Sequence, residues 1–98
     1  MNQKCDITCT AKTLKAISHP LRLKILCNLY KDELSVKDII EKSGSSQSNV
    51  SQHLSYMRER KLITSRRDAN RVYYRIAKLE LIEIIKMMQK LYCQDEAA

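Results

Sequence analysis

Residues 35–60 read SVKDIIEKSGSSQSNVSQHLSYMRER, and the fold turns on what this stretch does. Ser35 suits a helix N-cap, with Asp38 three residues on to answer it, ahead of a short helix from Val36 to about Lys42. Val36, Ile39 and Ile40 are its inward residues. Ser43-Gly44-Ser45 is the turn, and Gly44, the only glycine in the chain, stands where a positive φ is needed. A longer helix then runs from near Ser46 to about Arg60, with Val50, Leu54 and Met57 (i, i+4, i+7) as its buried stripe. Short helix, tight turn and longer helix make the helix-turn-helix layout, whose second helix lies in the major groove of DNA.

The exposed side of that second helix fits this use. A step of about 100° per residue puts Ser48 and Gln52 opposite the buried stripe, with Ser46, Gln47, Asn49 and Ser51 at the leading end and flanks. Hydroxyl and amide side chains suit phosphate oxygens and base edges, and Gln pairs with adenine through two hydrogen bonds. His53 flanks the stripe, where it packs or touches a phosphate. A polar helix face alone is equally a solvated surface, so the flanking segments must decide.

Downstream of Leu62 the apolar period changes from 3.6 to 2. Ile63–Arg67 and Arg71–Ile76 read as two strands joined at Asp68-Ala69-Asn70. A final helix spans about Leu79 to Tyr92, with Leu79, Ile82, Ile85 and Met88 on one face and Leu81, Ile84 and Leu91 widening it. So broad a stripe exceeds the needs of one subunit and predicts an interface. Upstream, residues 1–9 read as a loosely ordered arm, followed by a short helix near Thr10 to Ile17 that turns Ala11, Leu14 and Ile17 to one side. Pro20 suits the first turn of the next helix, which runs to about Tyr30 and buries Leu21, Ile25, Leu26 and Leu29. The expected fold is mainly α with a small β-hairpin: four helices, the hairpin and one more helix, within a single domain over residues 10–93 and a tail over residues 94–98.

Charge is placed as this arrangement requires. The chain of 98 residues carries +7, and residues 58–75 alone hold seven basic groups against Glu59 and Asp68. Arg66, Arg67 and Arg71 flank the hairpin tip, where a wing lies along the DNA backbone or reaches a minor groove. Polar helix face and basic hairpin both fall within residues 46–75, and that coincidence favours DNA over a merely solvated face. No phosphate loop, metal-ligand cluster or nucleophile with a positioned base suggests an enzyme or a cofactor. The N-terminus MNQKCDITCT lacks the apolar stretch of an export signal, and no run approaches a membrane span, so a cytoplasmic protein with reduced thiols is expected.

Three strings resemble the ArsR/SmtB family of winged-helix repressors. They are residues 16–26 (AISHPLRLKIL), residues 46–54 (SQSNVSQHL, like the family's recognition helix) and residues 66–74 (RRDANRVYY, like its wing, with Ala69 in place of the usual Gly). The resemblance spans about residues 10–93. It implies a homodimer joined through the first and last helices, on a short inverted repeat of double-stranded DNA. By that match Gln47, Ser48, Ser51 and Gln52 are the groove-facing residues. With about six phosphate contacts per dimer, affinity would fall roughly a thousandfold between 50 and 200 mM salt.

The resemblance also sorts the cysteines. Metal-sensing members carry Cys-x-Cys ahead of the turn, where this chain has Ser35 and Lys37, and zinc sensors use His on the last helix, where residues 79–93 hold none. Cys27 and Cys93, within LCNL and KLYC, instead resemble the paired cysteines of the reactive-sulfur-sensing branch, the BigR-, SqrR- and HlyU-like repressors. That likeness implies a disulfide or polysulfide bridge between them as the releasing event, with a reactive sulfur species or other thiol oxidant as inducer. Lys24 and Lys90, each three residues before a Cys, would favour thiolate, although Cys27 also reads as a small core residue. Two alternatives stay open: an arsenite or cadmium sensor using Cys5 and Cys9, and an inducer-independent factor that displaces a silencing protein.

Overall fold

A computed structural model describes residues 7–92, in the order α1 (Ile7–Ile17), α2 (Pro20–Leu29), β1 (Leu34–Ser35), α3 (Val36–Ser43), α4 (Gln47–Glu59), β2 (Ile63–Asp68), β3 (Arg71–Ile76) and α5 (Leu79–Tyr92). This is the winged helix-turn-helix expected from the sequence, with one addition. Leu34 and Ser35 form a two-residue strand that pairs with Tyr74 and Tyr73, so the hairpin becomes a three-stranded antiparallel sheet of order β1-β3-β2. Two residues are too few to show a period of their own, and the pairing is with a segment almost forty residues away. α1 also begins at Ile7 rather than Thr10, so part of the expected arm is helical, and the Thr13 hydroxyl donates back to the Cys9 carbonyl at 3.2 Å.

Caps fix where each helix starts and stops. The imidazole of His19 accepts from the backbone N–H of Leu21 (3.1 Å) and of Arg22 (3.5 Å) through Nδ1, capping α2 just ahead of Pro20. The Ser35 hydroxyl accepts from Asp38 N–H at 3.1 Å and caps α3, as its place in the sequence suggests. α4 ends without glycine: Leu62 N–H donates to the Met57 carbonyl and Lys61 N–H to that of Arg58, while Lys61 itself takes φ 62°. Those paired bonds form a Schellman closure.

Gly44 has φ +72°, and a Cβ there would meet only the Lys24 ammonium, at 3.9 Å. Space is therefore not the constraint; the left-handed backbone is. Gly44→Ala is expected to lower the unfolding free energy by about 1 kcal/mol, read from the urea midpoint, with Gly44→Asn costing less. The hairpin turn strains similarly. Asp68 pairs with Arg71, leaving Ala69-Asn70 as a two-residue loop in which Ala69 holds φ 59°.

The core gathers Ala16 and Ile17 of α1, Ile25, Leu26 and Leu29 of α2, Ile39 of α3, the α4 stripe Val50-Leu54-Met57, Leu62 just ahead of β2, Ile63 and Ile76 of the sheet, and Leu81 and Ile85 of α5. The end helices depart from the expected inward faces. Leu14 and Leu79 point to solvent at 57% and 73% exposure, and only Leu81 and Ile85 of α5 are fully inward. Ile84, Met87, Met88 and Leu91, spaced i, i+3, i+4, i+7, form an uncovered apolar stripe beside that buried pair. No helix among the described residues is long and apolar enough to cross a membrane.

Candidate nucleic-acid interface

α4 is held by its buried stripe and presents its polar residues outward. Ser46, Gln47, Ser48, Ser51 and Gln52 are all exposed. Ser46 also caps the helix, its hydroxyl accepting from Asn49 N–H at 3.1 Å, while the Asn49 amide donates to Ser45 Oγ at 3.2 Å. The outward line runs Ser48, Gln52, Ser55 and then Glu59. A carboxylate at that end repels phosphates, so the leading half of the rod is the half fit to enter a groove. Unpaired N–H groups and the positive end of the helix dipole lie at the same end.

The wing stands next to it. An open cleft of about 500 Å³ separates the starts of α3 and α4 from β3, and Lys37, Ile40, Gln47, Asn70, Arg71 and Val72 line it. Gln47 of the rod and Arg71 of the ribbon thus border one depression. The strand register divides the three expected wing cations. Arg66 is opposite Tyr73 and Arg67 opposite Val72, so Arg66 and Arg67 lie on different faces of the sheet. Among the described residues neither Arg67 nor Arg71 has an ion-pair partner, whereas Arg66 is bound to Glu33.

His53 is half-buried and lies against His19, ring centroids 4.4 Å apart, tying α4 to the start of α2. Beside them the Tyr56 ring carries Arg22 at 3.9 Å and Arg60 at 3.7 Å. Two guanidinium carbons that near one centroid cannot share a face, so the ring is sandwiched. The tie was missed in the sequence because its members are 34 residues apart in the chain.

Burial, with the nearby His19 and Arg22, pushes the His53 pKa below its ordinary 6.5. The unfolded chain therefore takes up this proton at higher pH than the folded one, and the folded state loses stability as pH falls from 6.5 through the lowered value. The melting temperature should drop as pH falls from about 7.5 through the lowered value, and His53→Gln should flatten part of that drop. A variant with the wild-type pH profile would remove His53 as the cause.

Cys27 is half-buried on α2, and Cys9 is exposed on α1. Cys5 and Cys93 lie outside the described residues. Among the described residues no group of three His, Cys, Asp or Glu side chains is placed to hold a metal ion.

Comparison with known proteins agrees with this geometry. The sequence profile of bacterial regulatory proteins of the arsR family matches residues 19–65, which run from the α2 cap into the wing. The chain is 40% identical over 81 residues to the transcriptional activator HlyU of Vibrio cholerae, covering 83% of this chain and 75% of that protein. It is 30% identical over 86 residues to a biofilm growth-associated repressor of Xylella fastidiosa, covering 88% and 75%. The solved structure of reduced HlyU from Vibrio cholerae superposes with a TM-score of 0.85 at 36% identity, over 90% of this chain and 93% of that one. These relatives are transcriptional regulators, not enzymes, and so the chain belongs to the arsR family of bacterial regulatory proteins: it is a DNA-binding regulator of transcription built on a winged helix-turn-helix.

Proposed function

We propose that the protein is a dimeric repressor of an inverted-repeat operator, released when Cys27 and Cys93 are joined by a disulfide or polysulfide bridge. Ser46, Gln47, Ser48, Ser51 and Gln52 read the major groove, His53 supports them from behind, and Arg67 and Arg71 of the wing, without ion-pair partners among the described residues, hold the backbone. The observation that carries the DNA reading is the exposed leading end of α4 sharing one cleft with Arg71. Dimerisation rests on the uncovered apolar residues of α1 and α5, a cost in water that a second copy removes.

The switch rests on placement and kinship. α5 packs on α2, the helix that carries Cys27, and its last residue, Tyr92, immediately precedes Cys93. A relative described by its reduced state fits a regulator for which oxidation matters. Forming a disulfide releases two protons and two electrons, which an organic trisulfide accepts as one S–S bond breaks to leave a thiol and a persulfide; when its central sulfur stays in the bridge, it leaves as two thiols instead. Such a bridge needs Cα atoms within about 7 Å and would fix α2 against the end of α5.

The test is operator binding by wild-type, Cys27→Ser and Cys93→Ser proteins with and without an organic polysulfide, with mass spectrometry of the treated wild type. Release of the wild type alone, with a Cys27–Cys93 cross-link, is expected. Release without that cross-link overturns the mechanism. The name activator, borne by HlyU, favours one second reading, a factor that raises transcription by displacing a silencing protein. Operator affinity unmoved by every thiol treatment would select it.

A further inference from the structure

Glu33 lies in the connector after α2, one residue ahead of β1, and received no role from its sequence. The register places it on the sheet face that also carries Arg66, Tyr73 and Arg75. Its carboxylate grips Arg66 at two points: Nε to Oε2 at 2.8 Å and Nη2 to Oε1 at 2.9 Å. The third guanidinium nitrogen, Nη1, is 3.7 Å from Asp68 Oδ2, and the Tyr73 ring centroid is 4.8 Å from the guanidinium carbon. Every nitrogen of this wing arginine therefore has a carboxylate partner. Arg67 and Arg71 of the same ribbon have none among the described residues.

We propose that Glu33 is the counter-ion of the wing: it withholds Arg66 from DNA phosphates and so trims the sequence-independent part of the affinity. The proposal rests on the reading of the wing as a phosphate-binding ribbon. A phosphate offers Arg66 the same fork-shaped partner that Glu33 already supplies, so the contact can form only by exchange. The hydrogen bond from Arg66, helped by Arg75, holds the Glu33 carboxyl below its ordinary pKa, and the grip persists at neutral pH. Both side chains remain partly in water, at 52% and 23% exposure, so the contact stays within reach of a competing phosphate. A regulator must leave non-specific DNA easily, since that DNA vastly outnumbers its operator. Limiting the cations of the wing serves that end.

Glu33→Gln keeps the size of the side chain and removes its charge. Binding to a duplex of random sequence, measured by fluorescence anisotropy between 50 and 200 mM salt, should become tighter. The slope of log K against log salt should steepen by about two per dimer, one phosphate for each wing. The affinity ratio across that salt range then grows about tenfold. Adding Arg66→Gln to Glu33→Gln should remove the gain, which separates release of Arg66 from the mere loss of a negative charge. Arg71→Gln tests the wing itself and should make the slope shallower. A Glu33→Gln protein that melts like the wild type but binds no tighter, beside a shallower Arg71→Gln, overturns the counter-ion role and leaves the wing reading intact. If Arg71→Gln also leaves the slope unmoved, the wing reading fails and the proposal with it. A gain that survives Arg66→Gln likewise overturns it.

Discussion

Ile84→Glu is expected to turn the protein into a monomer and to weaken operator binding by about 10²–10⁴-fold. Ile84 belongs to the stripe Ile84-Met87-Met88-Leu91, which stays exposed in the isolated chain although Leu81 and Ile85 on the same helix are buried. Ile84 is 48% exposed and stands outside the buried core, so the fold should survive a carboxylate there with its helical circular dichroism intact. At an interface between copies it would be desolvated without a partner, a penalty of several kcal/mol. The large effect on DNA follows from linkage. On the proposed inverted repeat, one subunit would engage one half-site, and the second half-site would then bind at the high effective concentration set by the joined partner. Light scattering measures the first consequence and operator titration the second. A folded dimer with unchanged DNA affinity would place the interface elsewhere.

Gln52→Ala should weaken binding to a duplex selected from a random library by about 10–100-fold per half-site, while binding to unrelated duplex changes little. Gln52 is on the outward line of α4, one turn behind Ser48, and its amide can donate and accept at the two adjacent polar atoms of an adenine edge. A methyl group offers neither. Because Gln52 is exposed and carries no charge, its loss affects neither the melting temperature nor the salt slope. Repeating the selection with the variant should relax preference at one position in each half-site. An equal loss on all sequences would mean that Gln52 touches backbone rather than bases.

The helix-turn-helix, the hairpin and the bounds of α5 were legible because each is a local pattern: a cap, a glycine, a change of period, an apolar stripe. Ser35 and Gly44 act where their chemistry requires. What the chain order concealed is non-local. β1 exists because Leu34 and Ser35 meet Tyr74 and Tyr73, and nothing in a two-residue segment announces a partner so distant. The Glu33–Arg66 grip spans 33 residues, and the His19–His53 contact links two helices that are not consecutive. Periodicity also overstated burial at Leu14 and Leu79. An apolar residue at helical spacing marks a face to be covered, but not whether the cover is the same subunit or another. The wing illustrates the same limit for charge, since counting arginines over residues 58–75 does not tell which already have a carboxylate.

The most direct test is an amide NMR titration of the uniformly labelled protein with its selected duplex. The largest shifts should fall on residues 46–52 and on the wing from Arg67 to Arg71, with the outward apolar residues of α1 and α5 little changed. Shifts concentrated on α1 and α5, with the leading turn of α4 unmoved, would contradict the assignment of this rod and ribbon as the DNA-reading surface.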